Sequence, residues 1–248
     1  MICEVCVEGI QGAEAAARGG AHRIELCAGL VEGGTTPSFG TLDAVLERVS
    51  VATVVLVRPR GGDFLYDEAE ADVLLRDVRR VRDFGAFGIA TGALRLDGTV
   101  DRGFMERVRD AAGPLSLTFH RAFDMTRDLF EALEDLRAAG VDRILTSGGK
   151  ASVMQALPIL RELVETGGKE ISIMPGGGVR EENLVQVVEE TGAREIHFTA
   201  PAHWESPMAF RNPHPRMGGS AVPPEFSRTG TDPERVRRMV GTLAEKSL

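Results

Sequence analysis

The stretch Arg23-Ile24-Glu25-Leu26-Cys27 alternates polar and apolar side chains, as expected of a β-strand with two different faces. Its first, third and fifth residues share one face, and its second and fourth residues share the other. The earlier stretch Glu4-Val5-Cys6 repeats the pattern, with a carboxylate and a thiol on either side of an apolar residue. Two neighbouring strands that each place Glu and Cys on one face indicate a site rather than an ordinary core.

Short β-rich stretches alternate with helical patterns along the whole chain. The predicted strands are residues 2–7, 23–27, 53–57, 87–91, 115–120, 143–146, 171–174 and 195–199. Apolar residues recur with helical spacing between them, as at Leu129, Phe130, Leu133 and Leu136. Strict alternation implies a parallel sheet, and eight units in 248 residues suit a (β/α)₈ barrel.

A doubly wound open sheet is the alternative fold. Both faces of such a sheet lie under helices, so its strands are apolar on both sides. In this chain one face of nearly every strand is polar. The side chains predicted on that face are Glu4, Cys6, Arg23, Glu25, Cys27, Arg58, Arg60, Ser116, Thr118, His120, Thr146, Ser172, Met174, His197 and Thr199. Closure of the sheet into a barrel gathers these side chains in one lumen, where opposite charges can pair. In an open sheet, helices would cover the polar face and bury its charged groups unpaired, at a cost of several kcal/mol per group. We therefore predict a TIM barrel that forms a single domain over residues 1–248.

One segment departs from the alternation. Residues 201–230 are rich in proline and glycine, and a connection of that length is usually functional or disordered. It follows the eighth strand at the C-terminal mouth of the barrel. The segment could therefore serve either as a lid over the mouth or as a contact between subunits. Residues 231–248 are predicted to form a C-terminal helix, because Thr231-Asp232-Pro233-Glu234 is a helix-start signal.

The composition narrows the class of protein. No stretch of about 18 apolar residues is present, and the N-terminus begins a strand without a signal peptide, so no membrane association is expected. Three cysteines suit a reducing cytoplasm better than a disulfide framework. The net charge of −8 argues against nucleic acid as a partner.

Cys6 and Cys27 are candidate metal ligands at the mouth, because neighbouring thiols suit a soft ion such as Cu(I). The competing interpretation is inert packing, since free cysteine is among the most frequently buried residues. The glutamates that share their face, Glu4 and Glu25, favour a site.

A second group of residues predicts anion binding at the mouth. Arg58 and Arg60 are available there, together with the turn Gly176-Gly177-Gly178 after the seventh strand, a position that often holds phosphate. The alternatives are a tight chain reversal for the glycines and neutralisation of Glu4 and Glu25 for the arginines. His120 and His197 are candidates for acid–base work or ligation, and a purely structural pairing with an acid is equally open.

Several longer motifs resemble the CutC family of copper homeostasis proteins. The resemblance runs in order from Glu4 to about Asn212. Its motifs are Val5-Cys6, Gly20-Ala21-His22-Arg23-Ile24-Glu25-Leu26-Cys27, Glu32-Gly33-Gly34-Thr35-Thr36-Pro37-Ser38, Arg58-Pro59-Arg60-Gly61-Gly62-Asp63-Phe64, Thr118-Phe119-His120-Arg121-Ala122-Phe123-Asp124, Leu145-Thr146-Ser147-Gly148, Met174-Pro175-Gly176-Gly177-Gly178 and Ser206-Pro207-Met208. The resemblance implies a cytoplasmic, homo-oligomeric TIM barrel involved in copper homeostasis, with Cys6 and Cys27 as the candidate copper ligands.

Two functional hypotheses follow. The first is a copper homeostasis protein that binds Cu(I) through Cys6 and Cys27. The second is an enzyme for a small anionic or phosphorylated metabolite, with Arg58, Arg60 and Gly176, Gly177 and Gly178 holding the anion and Glu25 or His120 transferring a proton. Metal-dependent phosphodiester hydrolysis is one version of it, with Glu4, Glu25 and Asp124 as ligands of a divalent ion. A mere interaction scaffold fits least, because it has no need for so many ionisable groups in its lumen.

Overall fold

Eight parallel strands dominate the computed structural model, which describes residues 1–215, 217 and 225–246. The strands are β1 (Ile2–Glu8), β2 (Arg23–Cys27), β3 (Ala52–Leu56), β4 (Gly88–Thr91), β5 (Ser116–Phe119), β6 (Arg143–Thr146), β7 (Ser172–Pro175) and β8 (Glu195–Phe198). Every predicted strand is present, within one residue of its expected bounds.

The order of the strands confirms the barrel. It runs β7-β6-β5-β4-β3-β2-β1-β8, so β1 lies between β2 and β8. The sheet nearly closes where β7 and β8 face each other, and there the Ser172 hydroxyl donates to Glu195 Oε1 at 3.0 Å. An open doubly wound sheet does not bring its last strand back to its first.

The helices surround the sheet, and some of them begin at recognisable start signals. They are α1 (Gly9–Arg18), α2 (Phe39–Arg48), α3 (Glu68–Asp83), α4 (Arg102–Ala112), α5 (Leu129–Ala138), α6 (Leu157–Gly167), α7 (Leu184–Thr191) and α8 (Pro233–Lys246). Asp67 and Glu70 form a capping box at the start of α3. Pro158 lies in the first turn of α6, where a backbone N–H has no partner within the helix, so the missing N–H of proline costs no hydrogen bond. No helix in the described part of the chain combines the length and apolarity needed to cross a membrane.

The core lies between the sheet and the helices, on the apolar face of each strand. Val5, Ile24, Leu26, Val55 and Leu117 are completely buried there. At about 25 cal/mol per Å² of apolar surface removed from water, this layer is the main favourable contribution to folding. The opposite face of the strands is left to line the lumen.

Charged pairs fill the lower lumen. The Arg23 guanidinium donates to both Glu4 and Glu195, and Arg143 Nε donates to Glu195 Oε2 at 2.5 Å. Thr118 and Ser172 add hydroxyl hydrogen bonds to this network, at 3.2 Å to Arg143 and 3.0 Å to Glu195. These buried charges are therefore paired, as the closure argument requires.

Two positions predicted on the lumen face lie elsewhere. In β6 the lumen side chains are Arg143 and Leu145, while Thr146 points the other way and donates to Asp124 Oδ1 at 2.5 Å. Arg60 lies beyond the end of β3 at Leu56, where strand alternation no longer applies. Its guanidinium instead pairs with Glu70 at 2.5 Å.

The segment 201–230 is more regular than expected. It contains β9 (Pro201–Glu205), which pairs antiparallel with β10 (Ser227–Thr231) as a two-stranded ribbon beside the barrel. Glycine at position 230 leaves room for the Trp204 ring, because a Cβ there would lie 2.5 Å from it. The residues between the strands at 216 and 218–224, and 247–248 at the C-terminus, lie outside the described part.

Candidate functional site

A cavity of about 630 Å³ opens at the C-terminal ends of the strands, where TIM barrels carry their active sites. We call it the mouth cavity. Its lining includes Cys6, Glu25, Arg58, His120 and His197. The structure therefore brings together one predicted metal ligand, the three residues predicted for catalysis and the second lumen histidine.

The two predicted thiol ligands are in contact. Cys6 Sγ and Cys27 Sγ lie 3.7 Å apart, and both side chains are buried. Because β1 pairs with β2 so that Glu8 lies opposite Cys27, the two cysteines are diagonal neighbours across the strands. Val54 and Leu56 pack around them on the lumen side. The hydrogen bond with Cys27, burial and the nearby charge of Glu25 all raise the pKa of the Cys6 thiol well above its ordinary value.

Behind the thiols, a histidine lies between two glutamates. His197 Nδ1 lies 2.8 Å from Glu4 Oε1, and His197 Nε2 lies 3.9 Å from Glu25 Oε2. Burial opposes charge on this ring, but hydrogen bonds to Cys6 and Glu4 and the charges of both glutamates raise the pKa of His197 well above 6.5. Burial likewise opposes ionisation of Glu4, yet the His197 hydrogen bond and the Arg23 charge lower its pKa to about 2. His197 and Glu4 thus form a buried ion pair.

Glu25 has a different environment from Glu4. Burial is the main reason that its pKa is raised; the His197 charge opposes this effect and the Glu4 charge adds to it. Its Oε1 atom is buried without a hydrogen-bond partner among the described residues. Ligand atoms of Cys6, Glu25 and His197 all lie within 4.8 Å of one another, so this trio could hold a metal ion. Cys6 and Cys27 are the ligands predicted from the sequence, whereas this trio combines Cys6 with Glu25 and His197 and does not include Cys27.

Arg58 and His120 form another part of the cavity wall. Arg58 donates to the carbonyl oxygens of Glu32 and Gly34 at 3.0 Å each and of Gly62 at 2.7 Å. It does not neutralise Glu4, whose guanidinium partner is Arg23. Burial and the charge of Arg58 lower the pKa of His120 to about 3, which keeps its ring neutral.

The predicted anion-binding groups are only partly assembled. Arg60 is absent from the cavity lining, because its guanidinium is held by Glu70 and by the carbonyls of Asp63 and Leu65. Gly177 and Gly178 do line the cavity, with φ of +101° and +79°, whereas Gly176 does not. A Cβ on Gly178 would lie 2.5 Å from Ser152 Oγ, so the chain approach there requires glycine.

Residues 179–183 separate this glycine turn from the next helix. The next helix, α7, begins only at Leu184, and Asn183 Oδ1 accepts the Arg180 N–H before it. The N–H groups at the start of α7 therefore do not belong to the turn, and any anion affinity of Gly177 and Gly178 has to come from the turn itself.

The divalent-ion set of Glu4, Glu25 and Asp124 is not brought together either. Asp124 accepts hydrogen bonds from Thr146, Ser147, Gly149 and Arg121, with donor distances of 2.5 to 3.1 Å. These donors surround its carboxylate and use its lone pairs to fix the loops after β5 and β6. Glu4 is occupied in the same way by Arg23 and His197. Of the three carboxylates, only Glu25 lines the mouth cavity.

Known proteins resemble this chain along most of its length. A CutC family protein from Mesorhizobium japonicum is 49% identical over 231 residues, which cover 93% of this chain and 90% of that protein. The human copper homeostasis protein cutC homolog is 44% identical over 238 residues, which cover 96% and 87% of the two chains. A CutC crystal structure from Streptococcus agalactiae has a TM-score of 0.76 at 31% identity and covers 79% of this chain and 97% of its own.

A more distant structural neighbour shares the fold alone. Phosphoribosylanthranilate isomerase from Pyrococcus furiosus has a TM-score of 0.56 at 12% identity and covers 99% of both chains. This similarity supports the barrel architecture. It carries no information about function, because many unrelated functions occur on this fold. The family itself is identified by the model of the CutC family, which matches residues 1–202. Together with the identities to named relatives, this match establishes that the chain belongs to the CutC family.

Proposed function

We propose that this protein takes part in copper homeostasis and binds Cu(I) through Cys6 and Cys27. The names of its mammalian relatives, copper homeostasis protein cutC homolog, support the role. The observation that carries the proposed site is the 3.7 Å separation of the two sulfur atoms, of which that of Cys6 belongs to a residue lining the mouth cavity. Thiolates are the soft ligands that select Cu(I) over hard cations.

The surroundings of the two thiols suit a soft monovalent ion. Val54, Leu56 and Ala90 pack against them and supply no oxygen ligands. A thiol has to lose its proton to become a ligand, and the raised pKa of Cys6 makes that loss costly. His197 and Glu25 lie next to Cys6 and complete the ring of candidate donors.

A competition titration with a chromophoric Cu(I) chelator tests the proposal under anaerobic conditions. We expect the wild type to bind one Cu(I) per chain and the Cys6→Ser/Cys27→Ser variant to lose that binding. Cys3→Ala is the matched control, because Cys3 lies on the opposite face of β1 in the apolar core. Unchanged Cu(I) affinity in the double variant contradicts the assigned site.

We also expect the protein to act in the reducing cytoplasm and to form a homo-oligomer. The first expectation rests on three free cysteines, two of which have to stay reduced for the proposed site. The second comes from the family resemblance alone. Native mass spectrometry of untagged protein checks the subunit number.

A second candidate function is an enzyme for a small anionic metabolite. The observation that favours it is Glu25, a cavity-lining carboxyl group whose pKa is raised by burial and whose Oε1 has no partner among the described residues. Such a group can give or take a proton. Any metabolite retained by the purified protein is the compound to assay, and Glu25→Gln is expected to abolish its turnover. Turnover unaffected by that substitution excludes Glu25 from the chemistry.

A further inference from the structure

Arg58 is a buried cation that has no carboxylate within ion-pair distance in the described part of the chain. Its side chain is 5% exposed, and its three hydrogen bonds with printed distances all go to backbone carbonyls. Its Nε atom is buried and has no hydrogen-bond partner within 3.5 Å among those residues. The carbonyl dipoles, the Phe64 ring and the neutral Tyr66 phenol stabilise the guanidinium in part, but none of them supplies a negative charge. Burial of a cation without a counter-charge is costly, and a bound anion reduces that cost.

His120 supplies a second donor at the same wall. His120 Nδ1 accepts the Ala122 N–H at 3.2 Å, so the proton of the neutral ring has to sit on Nε2. That Nε2–H group is buried and unpaired in the described structure. The positive charge of Arg58 helps to keep the ring neutral, as the lowered pKa of His120 indicates.

Phe64 packs against both groups. The Arg58 Cζ atom lies 4.9 Å from the centre of the Phe64 ring, and the His120 ring centre lies 4.9 Å from the same point. All three side chains line the mouth cavity. A cationic fork and a neutral N–H donor held against one aromatic ring form a preorganised pair of donors.

The charge around the cavity points the same way. The lining contains four arginines, and three of them have a carboxylate partner: Arg121 pairs with Asp124, Arg180 with Glu182 and Arg235 with Glu181. Arg58 is the one arginine of the lining for which the described residues supply no such partner. An anion that enters the cavity therefore meets its uncompensated positive charge at Arg58.

We propose that Arg58 and His120 form a subsite for the oxyanion group, phosphate or carboxylate, of a small organic ligand in the mouth cavity. Arg58 supplies the charge and the His120 Nε2–H supplies a directional hydrogen bond. The subsite rests on the second candidate function, which it deepens by naming the group of the ligand that is recognised. It uses neither Cys6 nor Cys27 and therefore does not depend on copper binding.

Calorimetric titration of metal-free protein tests the subsite with inorganic phosphate and, separately, with acetate at constant ionic strength. We expect saturable binding of one of them in the millimolar range or tighter. Stronger binding of phosphate identifies a phosphorylated ligand, and stronger binding of acetate identifies a carboxylate. A rise in melting temperature with the bound anion provides an independent readout.

Three variants assign the binding to named atoms. Arg58→Met is expected to weaken the anion affinity by about 100-fold, and Arg60→Met, whose guanidinium faces Glu70 instead, is expected to leave it unchanged. His120→Asn retains an oxygen that can accept the Ala122 N–H but lacks the Nε2–H donor, so about a 10-fold loss is expected. Because His120→Asn leaves Arg58 in place, this variant still tests the subsite if Arg58→Met does not fold.

Two results overturn the subsite. One is the failure of both anions to bind the folded wild type, and the other is wild-type affinity in His120→Asn or in folded Arg58→Met. Its failure is separable from that of the other proposals. The Cys6→Ser/Cys27→Ser variant is expected to bind the anion normally while losing Cu(I), and Glu25→Gln is expected to bind the anion while losing turnover.

Discussion

Glu4→Gln is expected to destabilise the barrel strongly, because it removes the one carboxylate that Arg23 and His197 share. Glu4 is 1% exposed and accepts a charged hydrogen bond from each of them. Two such bonds are worth about 1.5–3 kcal/mol each. The same interactions lower the pKa of Glu4 from 4.5 to about 2, which corresponds to about 3 kcal/mol at neutral pH. We therefore expect a loss of about 3 kcal/mol or somewhat more in the free energy of unfolding.

The pH dependence of that loss has a definite sign. A carboxyl group whose pKa is depressed in the folded state contributes stability above its ordinary pKa of 4.5, and the contribution disappears as the pH falls toward 2. Urea unfolding followed by circular dichroism at several pH values measures it. The difference between wild type and Glu4→Gln is expected to be full at pH 6 and to shrink steadily below pH 4.5.

Glu181→Gln is the matched control. The hydrogen bonds of Arg238 and Arg235 also lower the pKa of Glu181 to about 2, but its side chain is 32% exposed at the surface. Solvent screens such pairs, so the expected cost is below about 1 kcal/mol. Equal costs for the two substitutions, or a Glu4→Gln cost that does not change with pH, refute the view that burial makes the Glu4 pairs strong.

Three further predictions concern the turn, the thiols and the assembly. Gly178→Ala should lower the free energy of unfolding by about 1–3 kcal/mol in urea, because its φ is +79° and the new Cβ meets Ser152; an unchanged unfolding midpoint contradicts this. Cys6 should react with iodoacetamide far more slowly in the native than in the unfolded protein, because burial and a raised pKa both suppress its thiolate; equal rates contradict the buried geometry. Native mass spectrometry should show a homo-oligomer, and a monomer at micromolar concentration contradicts that expectation.

Strand alternation accounts for most of what could be predicted about the site. Glu4, Cys6, Glu25 and His197 were expected on the lumen face, and the structure confirms that face for each of them. The reason is physical: a regular strand presents every second side chain to the same side, so no knowledge of tertiary structure is needed.

Pairing between strands could not be predicted in the same way. The register places Glu4 opposite Arg23 on one side and His197 on the other, which decides that Arg23 rather than Arg58 neutralises it. The stagger of strands in a barrel depends on the closure of the whole sheet. Arg143 and Glu195 illustrate a missed signal, because both share the face of their lumen neighbours and alternation alone could have identified them.

Positions beyond the strand ends were the least predictable. Arg60 was assigned by continuing the alternation past Leu56, where the backbone turns and the rule fails. Asp124 was proposed as a metal ligand because carboxylates bind cations, but the loop amides that surround it were invisible in the sequence. Loop conformation depends on contacts between distant segments, which a single sequence does not display.

X-ray absorption spectroscopy at the copper edge, on protein loaded anaerobically with one equivalent of Cu(I), tests the proposed copper site most directly. We expect a copper coordination shell dominated by two sulfur atoms, which Cys3→Ala retains and Cys6→Ser/Cys27→Ser loses. A shell of nitrogen and oxygen atoms in the wild type, or a sulfur signal that survives in the double variant, contradicts the assignment of Cu(I) to Cys6 and Cys27.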